Sequence, residues 1–421
     1  MRRMQHPTVA SLAALALLAA CTRTPEPEAG ATTMALQAWA GAVTDVAVPA
    51  APGSRFPNLA AAQDGSALVM SWLEPQPDQG FRLRQARWNA GQAWGEPGTV
   101  ASGKDWFINW ADFPSVVPLD ASRWVAHWLH QRPGSVYSYD VMTSLSEDGG
   151  RTWAPPLAPH DDGTPTEHGF VSLASAGGQP YAVWLDGRNT GGGDGGHEGH
   201  GGAGAMTLRG ARLSPEGAIE GAEIDARVCD CCQTDAAVVR DGLLIVYRDR
   251  TADEVRDILA ARYVDGKWSA PVAVHADGWR IEACPVNGPA VAARGDSVAV
   301  AWFTAPDQSR VRLAFSDDGG RTFAAPVEVA AGRVAGRVDV VLLEDGRAVV
   351  SWLAESNTGA AIRAQPFTVH GPAGPAIDVA TSDVARSSGF PQMLAVDGGL
   401  LFAWTESAAT PAVRTAFAPL R

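Results

Sequence analysis

The hydrophobic pattern of this chain repeats seven times. Each copy contains an apolar run of strand length that carries an aromatic residue, and these aromatics follow one another at intervals of 50 to 63 residues. A period of this length is typical of repeat architectures. The seven runs are Ser71-Trp72-Leu73, His127-Trp128-Leu129, Val183-Trp184-Leu185, Val246-Tyr247-Arg248, Ala301-Trp302-Phe303, Ser351-Trp352-Leu353 and Ala403-Trp404-Thr405.

Polar residues divide each copy into short strands. A second apolar run precedes the aromatic one and is often opened by Phe-Pro, as at Phe56-Pro57; a turn such as Gln63-Asp64-Gly65 separates the two runs. Asp-Gly favours a tight hairpin. In the fifth copy, further strands are predicted over Arg310 to Phe315 and Pro326 to Ala330. Four short strands in each copy, without the pattern of a long helix, predict an all-β propeller.

The number of blades depends on both ends of the chain. The last copy, Phe390 to Leu420, holds only three strands, and Gly41 to Val48 is a spare strand. Pairing the two would close the ring and remove an open sheet edge. We therefore predict a single propeller domain over residues 41–421 with seven four-stranded blades. The alternative is a six-bladed propeller with one copy as an accessory set of strands.

The first twenty residues have the pattern of an export signal. Arg2 and Arg3 precede an apolar run, Val9 to Leu18, that is about half as long as a bilayer span. The sequence Leu18-Ala19-Ala20-Cys21 resembles the lipobox of bacterial lipoproteins. An ordinary signal peptide with a chance cysteine is the alternative.

The lipobox resemblance implies removal of residues 1–20 and attachment of lipid, including palmitate, to Cys21. Residues 21–40 would then be a flexible tether, and the protein would be an outer-membrane lipoprotein on the periplasmic or the exterior side. Cleavage would change the formal net charge from −13 to −15. Because so acidic a chain lacks the basic surface that nucleic acid requires, we predict no nucleic-acid binding. We also expect a monomer.

Two copies carry a longer motif between their third and fourth strands. The segments Ser146 to Trp153 and Ser316 to Phe323 both place Asp-Gly-Gly-Arg-Thr before an aromatic residue. They resemble the Asp-box (BNR repeat) of sialidases and related propellers. In such a turn Asp148 and Asp318 would accept backbone amides, and the glycines would take positive dihedral angles. The resemblance implies a sialidase-like propeller with these turns on the face away from its site.

The sialidase resemblance does not extend to the catalytic residues. Sialidases use three arginines, a Tyr-Glu nucleophile pair and an aspartate that acts as the acid/base. The segment Arg55-Phe56-Pro57 departs from their Phe/Tyr-Arg-Ile-Pro motif. Acidic residues that follow the strand-two aromatics nevertheless share one strand face, which predicts a carboxylate-lined opening that includes Glu74 and Glu406. For an exo-α-sialidase-type glycoside hydrolase, the catalytic candidates are Asp186, Asp249 and Arg248.

The cysteines give a more specific local pattern. Cys229, Cys231 and Cys232 precede the first strand of the fourth copy, and Cys284 precedes that of the fifth. Because connections into neighbouring blades lie side by side in a propeller, these four residues are predicted to converge at one opening of the channel. Export favours disulfides, whereas several thiolates together favour copper or zinc. Both interpretations stay open.

A glycine-rich insertion supports the metal interpretation. It joins the second and third strands of the third copy, and it carries His197, His200 and Met206, which are soft or borderline metal ligands. A solvated loop with incidental histidines is the alternative.

Three functions follow from these patterns. The first is an envelope-anchored binding or scaffold propeller with a copper or zinc site, whose ligand could be a glycan or an envelope protein. The second is the glycoside hydrolase, and the third is a structural adhesion module. We favour the first because the cysteines and histidines are the more specific signal.

Overall fold

The chain forms a seven-bladed β-propeller. The structure, a computed structural model, describes residues 39–89, 93–191, 204–357 and 359–421, and its strands form seven antiparallel sheets. The predicted export signal, Cys21 and most of the tether lie outside the described residues. We number the blades I to VI along the chain, and blade VII combines the last copy with an N-terminal strand.

Most blades contain four or five strands, and short outer strands account for the difference. The strands of blades I to III are Arg55–Ala61, Leu68–Pro75, Phe81–Asn89, Ala93–Trp94 and Gly98–Gly103; Ser115–Pro118, Trp124–Gln131 and Tyr139–Ser146; and His168–Ala176, Gln179–Asp186, Thr207–Ser214 and Gly217–Asp225. The strands of blades IV and V are Asp235–Val239, Gly242–Arg248, Ile258–Val264, Lys267–Trp268 and Val272–His275; and Ala290–Arg294, Ser297–Thr304, Arg310–Ser316 and Val327–Ala331. The strands of blades VI and VII are Val334–Leu342, Ala348–Ser356, Gly359–Thr368, Gly371–Pro372 and Ile377–Ser382; and Gln392–Val396, Gly399–Glu406, Ala412–Pro419 and Thr44–Val46.

The ring closes through the N-terminal strand. Thr44–Val46 pairs antiparallel with Ala412–Pro419, and Thr44 is opposite Phe417. The predicted pairing of the spare strand with the last copy is therefore confirmed, as is the number of blades, although the strand is shorter than Gly41 to Val48. Within the described residues, the one helical element is the 3-10 turn Arg386–Ser388, and no helix there could cross a bilayer.

Blade II departs from the predicted four strands. Its sheet has three strands, and the fourth is reduced to a single bridge between Thr143 and Leu157. Leu157 follows Pro155 and Pro156. Because proline has no backbone N–H to donate, the two prolines prevent a longer ladder at this position.

The repeated aromatics pack the blades against one another. All seven are buried, and Trp72, Tyr247 and Trp302 are fully inaccessible. Trp302 of blade V packs with Val246 and Ile258 of blade IV, so each aromatic belongs to a core between neighbouring blades rather than to one central core. The pattern that defines the repeat is thus also the pattern that holds the repeats together.

The first strands of the blades surround a central channel of about 770 Å³. Three aspartates that line it each accept a hydrogen bond from the backbone of the next blade: Asp112 from Phe170, Asp235 from Val291 and Asp339 from Met393. We call the upper face the side on which the chain enters each first strand and leaves each second strand. Among the described residues, every predicted site residue except Asp148 and Asp318 lies at this face.

Candidate functional site

The upper face brings the four cysteines of blades IV and V together. The Sγ atom of Cys229 lies 3.2 Å from that of Cys232 and 4.0 Å from that of Cys231. Cys284 is hydrogen-bonded to Cys231 and packs against the same apolar core. We call these four residues the thiol cluster. The predicted propeller topology anticipated this convergence, although Cys284 is more than fifty residues from the other three in the sequence.

Three thiols of the cluster are buried and are not joined by disulfide bonds. Cys229, Cys231 and Cys232 are each at most 3% exposed, and Cys284 is half-buried. The sulfur separations exceed the length of an S–S bond, about 2.05 Å. They lie closer to the roughly 3.8 Å expected between two thiolates that bind one metal ion at about 2.3 Å. The sulfur atoms of the first three cysteines all lie within 4.8 Å of one another.

A buried arginine lies next to the thiols. Nη1 of Arg256 donates to the sulfur of Cys229 at 3.2 Å, and Nη2 donates to Glu254 at 2.7 Å. Glu254 also accepts a hydrogen bond from Arg250, which in turn donates to Asp230. Asp230 lies between Cys229 and Cys231 in the sequence. The result is a chain of alternating charges beside the thiol cluster. Such a chain lowers the cost of holding negative sulfur in the interior.

The thiols therefore differ in their readiness to ionise. Burial alone would raise the pKa of Cys229, but hydrogen bonds from Cys231 and Cys232 and the charge of Arg256 lower it well below its usual value. The same hydrogen bonds raise the pKa of Cys231. Cys229 is consequently the thiol of the cluster that ionises most readily.

The predicted metal loop lies only partly within the described residues. His197 and His200 fall outside them. Met206 is buried, and it packs in the same hydrophobic cluster as Cys229 and Cys231. The thioether of Met206 therefore lies in a hydrophobic core.

Two of the three catalytic candidates are structural. Asp186 is fully buried, and Arg188 and the indole of Trp184 hold both of its carboxylate oxygens. Arg248 is also buried, and its guanidinium donates to three backbone carbonyls, those of Asn287, Arg256 and Phe303. Neither side chain can meet a substrate in this arrangement. Asp249 is only half-buried, and burial raises its pKa to about 6.

The carboxylates of the predicted opening are ion-paired. Glu406 accepts two hydrogen bonds from Arg414, and Glu74 lies 3.8 Å from Arg84. Each arginine comes from the strand next to its carboxylate. These pairs fix the ends of neighbouring strands, so the acidic residues do not form an open ring of free carboxylates.

The two Asp-boxes have the geometry predicted for them. One oxygen of Asp148 accepts from the backbone N–H groups of Arg151 and Thr152, each at 2.9 Å, and Asp318 repeats the contacts with Arg321 and Thr322. The hydroxyl of Thr152, which also donates to this carboxylate, and these backbone N–H groups lower the pKa of Asp148 to about 2. Both turns join third to fourth strands and lie on the face opposite the thiol cluster.

A second polar cluster on the upper face was missed in the sequence. It lies where blade II meets blade III, and its histidine rings stack with centroids 3.9 Å apart. His160 comes from the connection into blade III, and His168 begins the first strand of that blade. The connection into blade IV carries the three cysteines, and this correspondence could have revealed the histidines. Burial and the neighbouring histidine lower the pKa of His160 to about 4. The members are Asp140, His160, Asp162, His168 and Asp186.

Comparison with known proteins shows similarity in the fold and gives no information about the site. No protein-family model matches the chain, and no curated protein matches its sequence. The chain is similar to a solved GH93 alpha-L-arabinofuranosidase of Fusarium graminearum in complex with arabinobiose, with a TM-score of 0.51 and 13% identity over 90% of this chain and 97% of that one. A leech intramolecular trans-sialidase gives a TM-score of 0.45 and 11% identity, over 86% and 67% of the two chains. The first of these similarities shows that the protein shares the propeller fold of that enzyme, and similarity at this level of identity shows the fold alone.

Proposed function

We propose that this protein is an envelope-anchored metal-binding propeller whose thiol cluster takes up copper(I) or zinc. The observation that carries the proposal is the convergence of three buried, unoxidised thiols beside Arg256. A lipid anchor on Cys21 is part of the proposal, and it rests on the lipobox resemblance. The exported chain would then hold a thiophilic ion near the membrane surface, for storage, delivery or sensing by an envelope partner.

The chemistry of the donor set favours soft and borderline ions. Thiolates select copper(I) and zinc over calcium and magnesium, which prefer oxygen ligands. Cys229, Cys231 and Cys232 provide three ligands within one short connection, and Cys284 provides a fourth from the next blade. Movements of less than 1 Å would bring the three sulfur atoms of the connection to the spacing of metal-bound thiolates, about 3.8 Å.

The surrounding charges are suited to a metal–thiolate group. A copper(I) or zinc ion with three or four thiolates carries a net negative charge, and an uncompensated buried charge is costly. Arg256 is fully buried and contacts Cys229 directly. A thiol cluster built only for packing would not require a buried guanidinium at hydrogen-bonding distance from sulfur.

The test is metal content combined with a thiol count on the full-length chain, expressed with its export signal and purified in detergent. We expect about one copper or zinc ion per chain, and four thiols that become titratable when a chelator removes it. Cys229→Ser and Cys284→Ser should lower the metal content, whereas Ser316→Ala, a substitution on the opposite face, should not. Metal-free protein with its cysteines paired in disulfides would overturn the proposal.

The glycoside hydrolase alternative has weaker support. Of its three candidate residues, Asp186 and Arg248 are buried in structural contacts, which leaves Asp249, whose neighbouring carboxylates are those of Asp225 and Asp257. A screen of chromogenic sialosides and arabinofuranosides would decide the matter. Turnover that is lost in Asp249→Asn would restore this alternative.

A further inference from the structure

The polar cluster between blades II and III contains buried atoms that lack partners. The side chain of His160 is 1% exposed, and neither of its ring nitrogens has a hydrogen-bond partner among the described residues. Oδ1 of Asp140 is also buried without one. Because an unsatisfied buried polar atom is destabilising, three such atoms in one place require an explanation.

Oδ1 of Asp140 faces one ring nitrogen of each histidine across a gap. Oδ1 of Asp140 lies 3.7 Å from Nε2 of His160 and 3.9 Å from Nδ1 of His168. Such separations are too long for hydrogen bonds. Nitrogen and oxygen ligands of one zinc ion, bound at about 2.0–2.1 Å, lie roughly 3.4 Å apart. The two rings are stacked with an interplanar angle of 6°, and Nδ1 of His168 lies 3.3 Å from the carbonyl oxygen of Tyr139. Binding of one ion by all three atoms therefore requires the rings to rotate out of the stack as the atoms move together.

We infer that Asp140, His160 and His168 form a binding site for a divalent first-row transition metal ion. Two imidazoles and one carboxylate are a ligand set that zinc and iron(II) take in other proteins. This site does not depend on the thiol cluster, because it uses different blades and nitrogen and oxygen ligands instead of sulfur.

The surroundings orient the three ligands. On the far edge of the histidine stack, Oδ2 of Asp162 lies 3.1 Å from Nε2 of His168 and 3.6 Å from Nδ1 of His160. A carboxylate behind a histidine ligand fixes its tautomer and turns the other nitrogen toward the metal. The second oxygen of Asp140 is held by Arg132, which leaves Oδ1 for the ion.

The charge and the access of the cluster also fit an ion. Three carboxylates, those of Asp140, Asp162 and Asp186, face two guanidinium groups, and a bound cation would offset the excess negative charge. Arg188 holds Asp162 and Asp186, so the carboxylate that is left to the ion is Asp140. The side chains of Arg132 and Arg188 are 30% and 24% exposed, which gives the ion a route from solvent.

The proposal is tested by titrating the chelator-treated full-length chain with Zn²⁺ and, separately, with Co²⁺. Cobalt bound by thiolates shows a strong sulfur-to-cobalt charge-transfer band, whereas cobalt on nitrogen and oxygen ligands shows only weak bands. We expect His160→Ala and Asp140→Asn each to weaken the zinc affinity of one site at least 100-fold. Residues that only orient metal ligands contribute at most about 100-fold, so a loss of this size indicates that the residue is itself a ligand. The charge-transfer band should not change.

A matched control is His127→Asn, which alters another buried histidine whose partner is Ser115 and should leave zinc binding unchanged. Asp140→Asn preserves the shape of the side chain, so it reports on the site even if His160→Ala fails to fold. Unchanged zinc binding in Asp140→Asn, or a loss that takes the sulfur band with it, would overturn the inference. Failure of the thiol cluster would instead appear as a missing sulfur band in the unaltered chain.

Discussion

Nη1 of Arg256 donates a hydrogen bond to Sγ of Cys229 at 3.2 Å, although both side chains are buried. The contact joins a guanidinium from the approach to the third strand of blade IV to a thiol from the connection into the first strand. It places a fixed positive charge where a metal–thiolate group would be negative, and it is the relationship on which the proposed function depends most directly.

Arg256→Gln should weaken metal binding by the thiol cluster. Removal of the charge leaves the thiolates without compensation, and residues that support metal ligands typically contribute 10–100-fold in affinity. Arg256→Lys retains the charge and should lose less. Competition with a chelator of known affinity measures the change, and Arg321→Gln, on the opposite face, is the control. Equal affinities in Arg256→Gln and the unaltered chain would contradict this role.

Ionisation of Asp339 should lower the stability of the propeller as the pH rises from about 4 to about 8. Burial, with a contribution from Asp235, raises the pKa of Asp339 to about 8, whereas an unfolded aspartate titrates near 3.9. The folded state therefore binds more protons than the unfolded state in this window, and its stability declines as the pH rises. Asp339→Asn should flatten that decline.

Urea unfolding at pH 5 and pH 8 measures this effect. The comparison is between the loss of unfolding free energy in Asp339→Asn and in the unaltered chain, with the exposed Asp397→Asn as the control. If Asp339→Asn loses as much stability as the unaltered chain, the carboxyl is not protonated in the folded channel.

Trp302→Ala should destabilise the protein by about 3–5 kcal/mol, the usual cost of removing a large buried aromatic side chain. Trp302 is fully buried between blades IV and V, and its indole N–H donates to Asp277. Val136→Ala alters a residue that is 67% exposed and should change stability by at most about 0.5 kcal/mol. Denaturant unfolding of both variants tests the assignment of the aromatic repeat to the cores between blades.

Deletion of residues 1–48 should open the ring, whereas deletion of residues 1–38 should not. The longer deletion removes Thr44–Val46 and exposes the edge of Ala412–Pro419, with a loss of about 1 kcal/mol for each ladder hydrogen bond. An exposed edge strand also promotes association between chains. Thermal unfolding and size-exclusion chromatography should separate the two truncations; identical behaviour would show that closure does not depend on this strand.

The sequence by itself determined the architecture. The spacing of the seven aromatic runs, the turns between them and the spare strand before Arg55 were sufficient for the number of blades and for the closure. They were also sufficient to bring Cys229 and Cys284 together, because the order of strands in a propeller places successive connections side by side. The fourth strand of blade II was overestimated, because Pro155 and Pro156 limit the ladder, and the N-terminal strand is shorter than predicted.

Only the tertiary structure decided which side chains meet within that framework. Asp186 had the position of a catalytic acid, but burial against Arg188 makes it structural. Arg256 and Cys229 are 27 residues apart, and Asp140 and His168 come from different blades. Such contacts depend on strand register, side-chain direction and burial, which a periodic pattern of apolar residues does not encode. The pattern fixes which face a residue occupies, and the packing of neighbouring blades fixes its partner.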